Sequence, residues 1–554
     1  MKAAGPEGRP DVGASALREP RHLVRRGRPL ARPSLGPVTL ITGIVVIIAT
    51  AVSGFALAPA ANAGPDSSAS TGGTNNAVMI TLSGSRLTGI TSTPAALTPS
   101  FRTADTDYVW FCAPGVNQIT LTLSSKGIIT EGGQSGSQLT VPVAVVANQA
   151  VIVTAANGIQ YWIRCLPASF PHFTVKNAGG GGAGYYVTES FENASSPGYP
   201  LILNSYGTPV WYLTGVPLSA DNTSLVPGTH DVTWDLRSTY AIYNLDTASA
   251  SSLRAPVEGF DPHELFYDTS GDAWMVSKPE VATHDLAAIG YPGVSKMQDC
   301  VVQEVDPQGQ LIWQWNASAH VDPNEAYPNL TSVFQSNGGS IVDTYHCNSI
   351  DVDPLDSNHI LVSMRNVGVF LIDKATGTII WKLGGTSAPT LQGEPVLTIT
   401  NDPETTFVGQ HDARFEPDGK VSLYDDETHT TQTPRGVEYS TNASTNSANM
   451  VWEYASPAGK GPKNSMGSVR MYDANTLPCD QVGSSYLGVQ DTVVNWGHGA
   501  PRGGFTVVGN ADQVLMDVLY PSRFISYRTQ MVPTGALNLN ALRASAGTAF
   551  TSPG

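Results

Sequence analysis

Three histidines in this chain open hairpins of one pattern. His263 stands in PHELFYDTSGDAWMVS, His346 in YHCNSIDVDPLDSNHILVSMR and His411 in FVGQHDARFEPDGKVSLYDD. In each, a few residues separate the histidine from a polar turn, and an apolar strand follows. A neutral imidazole is a nucleophile or an acid–base group. Arg365, in SMRN, ends the strand that pairs with the one after His346, and its planar fork suits two oxygens of an anion. Asp412 and Arg414 follow His411 inside an apolar segment, where polar groups are costly unless paired. Three histidines also suit zinc, but the sequence has no HxH or HExxH pair, and no metal site is expected. DVDPLDSN, residues 351–358, resembles a calcium loop without the glycine and closing glutamate of an EF-hand, and reads as a hairpin turn. NWGHGAPRGGF offers His498 and Arg502 among glycines, and reads as a structural closure.

The elements that must position these residues are strands. TPVWYLTG, VVQEVDPQGQLIWQW, VFLIDKATGTIIWKLGG and GVEYSTNASTNSANMVWEYAS each end in a strand with a tryptophan: Trp211, Trp313, Trp381 and Trp452. Other hairpins lie between them, and GGFTVVGNADQVLMDVLY comes near the C-terminus. About four strands per repeat predicts an all-β chain containing a six-bladed β-propeller. In a propeller, equivalent hairpin starts meet at one mouth of the central channel, which brings the three histidines and Arg365 together. If the His411 segment is extended throughout, Asp412 faces away from His411 and serves as a support. Before the repeat, AVMITLSG, DYVWFCA, QITLTLSS, QLTVPVAVV, AVIVTAA and QYWIRCL predict a small N-terminal β-sandwich.

Composition agrees with strands and turns. The 554 residues include 55 Gly and 39 Pro, with only 14% charged. Net charge is −16, and the first 36 residues are basic, so the remainder is more acidic still. Such a body repels nucleic acid and anionic membranes. The basic stretch Arg18 to Arg32 precedes an apolar run over 38–58 and Ala61-Asn62-Ala63, the pattern of an export signal cut after Ala63. The run is also long enough to act as an uncleaved anchor, which would be the chain's one membrane contact. Either way the body is expected to be secreted or extracytoplasmic. Five cysteines fit an oxidising compartment. Cys112 and Cys165 are the expected disulfide, and the pairing of Cys300, Cys347 and Cys479 stays open. The expected domains are a signal or anchor (1–63), a linker (64–76), a sandwich (77–175), a propeller (176–545) and a tail (546–554).

DPHELFYDTSGDAWMVSK, EVDPQGQLIWQW, YHCNSIDVDP, ILVSMRNVGVFLIDKATGTIIWKLGG and GQHDARF together resemble the PAPS-independent arylsulfotransferase family over most of 255–430. The early strands resemble the sandwich that precedes such propellers. The resemblance implies sulfuryl transfer from a phenolic sulfate ester to a phenolic acceptor, by a ping-pong route through a sulfohistidine, with no cofactor and no nucleotide donor. It implies His411 as nucleophile, with His263, His346 and Arg365 as its catalytic partners and Asn348 as a substrate-binding residue. Cys347, beside His346, departs from the pattern. A non-catalytic extracellular propeller that binds an anionic or aromatic ligand is the alternative. A quinone- or metal-dependent oxidoreductase has no visible ligand set.

Overall fold

The computed structural model describes residues 77–180, 184–283, 285–336, 339–386, 390–456, 465–472, 491–498 and 503–553. The expected signal and linker (1–76), Cys479 and Arg502 lie outside the described residues. The described chain is all-β apart from 3-10 turns and one short helix, Leu539–Ser545, capped where the Asn538 side chain accepts from Ala541 N.

Residues 77–167 build two four-stranded sheets. The strand Gln134–Val145 alternates buried and exposed positions towards its end, as a half-covered strand must. Leu87, Trp110, Leu121, Leu123, Val151 and Ile163 are buried between the sheets. Cys112 and Cys165 form a disulfide across the parallel pair Asp107–Cys112 and Gln160–Pro167.

Six mainly antiparallel sheets follow among the described residues, the fifth with one parallel edge strand, Thr398–Thr400. The first pairs Pro209–Tyr212, Tyr199–Leu203 and Gly184–Ser190 with a strand from the far end of the sequence, Thr529–Pro533. The second to sixth begin at Ser224–Leu225, Phe260–Tyr267, Cys347–Val352, His411–Phe415 and Ser468–Tyr472, and each continues as a meander. Middle strands such as Gly368–Asp373, GVFLID, are buried at nearly every position because both faces are covered. Thr174–Lys176, just past the sandwich, adds to the outer edge of the sixth sheet.

The leading strands lie against one another. Phe260–Tyr267 packs on Cys347–Val352, that strand on His411–Phe415, that on Ser468–Tyr472, and that on Thr529–Pro533, which also meets Ser224–Leu225. Residues placed early on these strands therefore share one end of the assembly. An inserted sheet, Glu280–Ala282, Lys296–Gln298, Gly339–Asp343 and Ser332–Ser336, grows from the third sheet. A second disulfide, Cys300–Cys347, ties the start of Val301–Val305 to the start of Cys347–Val352, with Cα atoms 6.0 Å apart. Two disulfides point to an extracytoplasmic location. No helix among the described residues is long and apolar enough to cross a membrane.

Candidate active site

Each site histidine sits where its leading strand is irregular. Pairing registers shift between Phe260 and Leu265, between Cys347 and Ser349, and between His411 and Arg414. Such bulges re-aim side chains. His346 and Asp412 adopt left-handed backbone, at φ +52° and +59°. The His411 segment is thus not extended throughout, and simple alternation does not decide where Asp412 points.

The bulges bring the rings together. His263 and His346 meet edge to face, with centroids 4.8 Å apart. The Tyr527 ring lies 5.9 Å from His263 and 6.4 Å from His411. Nδ1 of His263 is paired with Asp261, whose other oxygen is 3.4 Å from Lys278 Nζ. Nδ1 of His346 is paired with Asp343, which the inserted sheet delivers. A carboxylate on Nδ1 fixes the tautomer and leaves Nε2 for chemistry. Burial works to raise Asp261, but the charges of His263 and Lys278 outweigh it and hold the carboxyl below the usual range.

His411 is built differently. Its Nδ1 is 3.0 Å from the carbonyl oxygen of Gly409, and its Nε2 accepts from Met466 N at 3.2 Å. A carbonyl only accepts and a backbone N–H only donates, so the proton is on Nδ1 and the lone pair on Nε2. Gly409 is required here. Its φ is +75°, and an added Cβ would collide with the Thr428 side chain. Burial, then the charge of Arg365 and of the other two histidines, holds the His411 imidazole well below its ordinary range. It is neutral at physiological pH. The His263 imidazole is also lowered by burial, while Asp261 pulls the other way.

Arg365 ends its strand as the sequence predicts, and its backbone N–H donates to His346 O at 3.0 Å. Its Nη2 donates to Thr428 Oγ1 at 3.2 Å, and that hydroxyl donates to Asp426 at 3.0 Å. Asp426 lies 3.9 Å from His411 Nδ1, and burial pushes its carboxyl well up. Asn348 is wholly buried. Its Nδ2 donates to Gln410 O at 2.7 Å and its Oδ1 faces Asp412 N at 3.4 Å, so both ends of the amide hold the backbone around His411.

Behind His411 lies a charged layer. The Asp412 carboxylate is met by Arg414, Arg470 and Arg528. Arg414 and Arg528 also grip Glu264, at 2.6 and 2.7 Å. Arg414 belongs to this layer and not to the histidine cluster.

Sequence reasoning missed Asp261, Asp343, Thr428, Asp426 and Tyr527. The first two had a signal, an aspartate two or three residues before a site histidine. Tyr527 had none, because it arrives in the bend before the last strand. His498, read as structural, donates its backbone N–H to Ser465 O. Among the described residues, Asp268, Asp272 and Glu304 are close enough to share a cation. None of the three histidines is in that set, and Lys374 already occupies Glu304 at 2.6 Å.

Residues 235–468 match the family model described as arylsulfotransferase (ASST), a segment that holds all three histidines, Arg365, Asn348, Asp412 and Arg414. No curated protein matches the chain. A solved structure titled "Structure of U3-55K" is similar over 67% of this chain and 82% of that one, at 8% identity and a TM-score of 0.26, too low to bear on fold or activity.

Proposed function

We propose, from the premise that this is an arylsulfotransferase-like chain across the segment carrying its three histidines, that it moves a sulfuryl group between phenols through a covalent intermediate on His411. The observation that carries this is the polarity of the His411 ring. Nδ1–H is fixed on a carbonyl, and the Nε2 lone pair carries only the hydrogen bond from Met466 N–H at 3.2 Å, which must give way when Nε2 attacks. A neutral imidazole that can attack sulfur and later leave suits a two-step transfer.

In the first step the Arg365 fork holds the non-bridging oxygens of an aryl sulfate. His411 Nε2 attacks sulfur, the sulfur–oxygen bond to the ring breaks, and the electron pair leaves with the phenolate. His346 or His263 protonates that oxygen. The sulfohistidine ring keeps Nδ1–H on Gly409 O. In the second step an acceptor phenol loses its proton to the same imidazole and attacks sulfur. The nitrogen–sulfur bond breaks, and neutral His411 returns. No nucleotide donor or cofactor takes part.

The remaining residues support this arrangement. Asn348, expected at the substrate, is better assigned to holding His411, because its amide is engaged by the 410–412 backbone. Asp412 and Arg414 are supports. We read the six sheets as six blades, ring-closed by the pairing of Thr529–Pro533 with Gly184–Ser190. The sandwich (77–175) precedes a propeller (176–545), and the whole is exported by residues 1–63.

The test is intact-mass spectrometry of residues 64–554 after brief exposure to a chromogenic aryl sulfate without acceptor. An added SO₃ on the His411 peptide, with a stoichiometric burst of phenol, is the expected result. A folded sample with neither adduct nor burst would refute the covalent route.

A further inference from the structure

The leading strands continue beyond the histidines and the charged layer to a cavity of about 50 Å³. All six contribute to its wall: Ser224, Glu264, Asp351, Arg414, Arg470 and Gln530. About 10–15 Å³ is enough for one water-sized particle. The space admits a monatomic ion with a water or two, and is too small for an aryl sulfate.

Its polar groups are unevenly satisfied. Arg414 spends its three nitrogens on Asp412, Glu264 and Ile350 O. Arg528 places Nη1 on Glu264 and Asn222, and Nη2 on Glu264 and Asn348 O. Arg470 uses Nη1 alone, on Asp412 and Val469 O. Among the described residues, Nε and Nη2 of Arg470 make no hydrogen bond, although its side chain is only 8% exposed. Arg470 lines the cavity, so whatever fills that space is the acceptor open to these N–H groups.

The charge count points the same way. Three guanidiniums share two carboxylates in direct contact, Glu264 and Asp412. Two further acids line the wall, Asp351 and Glu416. Burial pushes Asp351 up to about 7 and Glu416 up to about 8, so neither is a full counter-charge near neutral pH. Asp351 also gives both oxygens to backbone N–H groups, of Val352 and Phe415.

We propose that this cavity is a halide site, with one chloride-sized anion seated against Nε and Nη2 of Arg470. The ion completes the shell of a guanidinium whose other edge holds Asp412, the residue after His411. The inference rests on the cavity and Arg470, and does not depend on the sulfuryl-transfer reading.

Crystals of residues 64–554 soaked in sodium bromide give the direct test, with anomalous scattering locating the ion. The expected result is a bromide peak within about 3.5 Å of the Arg470 guanidinium, the distance of a hydrogen bond to a large anion. Thermal unfolding supplies the solution test. Chloride or bromide, compared with gluconate at equal ionic strength, raises Tm below about 0.15 M, the physiological range, and Arg470→Met abolishes the difference. A cavity holding only water overturns the proposal. So does a bromide peak with no halide effect on Tm in that range, which marks an adventitious ion only. The bromide map keeps the test decisive if Arg470→Met fails to fold.

Discussion

The imidazoles of His263 and His346 meet edge to face at 4.8 Å, and each presses Nδ1 on its own buried aspartate. Each dyad leaves its Nε2 off the carboxylate, and the charge of both histidines reaches the His411 ring. One proton donor is enough for the leaving phenolate, so the two histidines are expected to divide between proton transfer and sulfuryl binding.

That division is testable by leaving-group dependence. Replacing the proton donor, by His346→Asn or His263→Asn, should slow the phenol burst by about 10²–10⁴-fold with a poor leaving group. With a nitrophenol, which leaves without a proton, the loss should be small. A variant equally impaired with both donors has lost sulfuryl binding instead. Burst rates for a series of phenyl sulfates decide which histidine is which.

His411→Ala should remove the burst altogether, a loss of more than about 10³-fold, because no other group stands in for a nucleophile. Binding of an aryl sulfate, measured calorimetrically, should survive. Retained turnover would exclude the covalent role.

Arg365→Met should shift the acid limb of the burst rate to higher pH. On the proposed route the neutral His411 ring is the reactive form. Burial first, then Arg365, holds its proton affinity down, so wild type should stay active well below pH 6.5. Removing the positive charge raises the imidazole and brings protonation closer to neutrality. The same depression has a stability consequence. Below an unfolded value near 6.5 the unfolded chain binds a proton that folded His411 refuses, so stability is lost as pH falls. His411→Gln should flatten the dependence of unfolding free energy on pH by up to about 1.4 kcal/mol per pH unit.

Asp412→Ala should destabilise the protein by about 3–5 kcal/mol, because it strands Arg414, Arg470 and Arg528 with one shared carboxylate fewer. Chemical denaturation measures this directly. A change below about 1 kcal/mol would mean that the layer relaxes around the loss.

Much of this was legible in residue order. The repeated tryptophans Trp211, Trp313, Trp381 and Trp452 each fall on the last strand of a sheet, so the repeat tracked real structural units. His263, His346 and His411 share a place on their sheets because each precedes a turn and an apolar strand. Contacts made by non-local pairing were invisible. Asp426 reaches His411 across a hairpin, and Tyr527 reaches it from the bend before the closing strand, with no short spacing to reveal either. The direction of Asp412 was also hidden, since a left-handed residue within a strand leaves no mark in hydrophobic periodicity. The Cys300–Cys347 pair could not be read because three cysteines were available, and only the fold selects among them.

The pairing of Thr529–Pro533 with Gly184–Ser190 has a consequence for biosynthesis. Tyr527 and Arg528 enter immediately before that final strand. On a ribosome, the earlier sheets can form while the histidine cluster still lacks Tyr527 and Glu264 lacks Arg528, one of its two arginines. On the proposed route, the nascent polypeptide would stay inert towards sulfate esters until residues 527–533 had emerged, and the pairing that completes the first sheet would also complete the site.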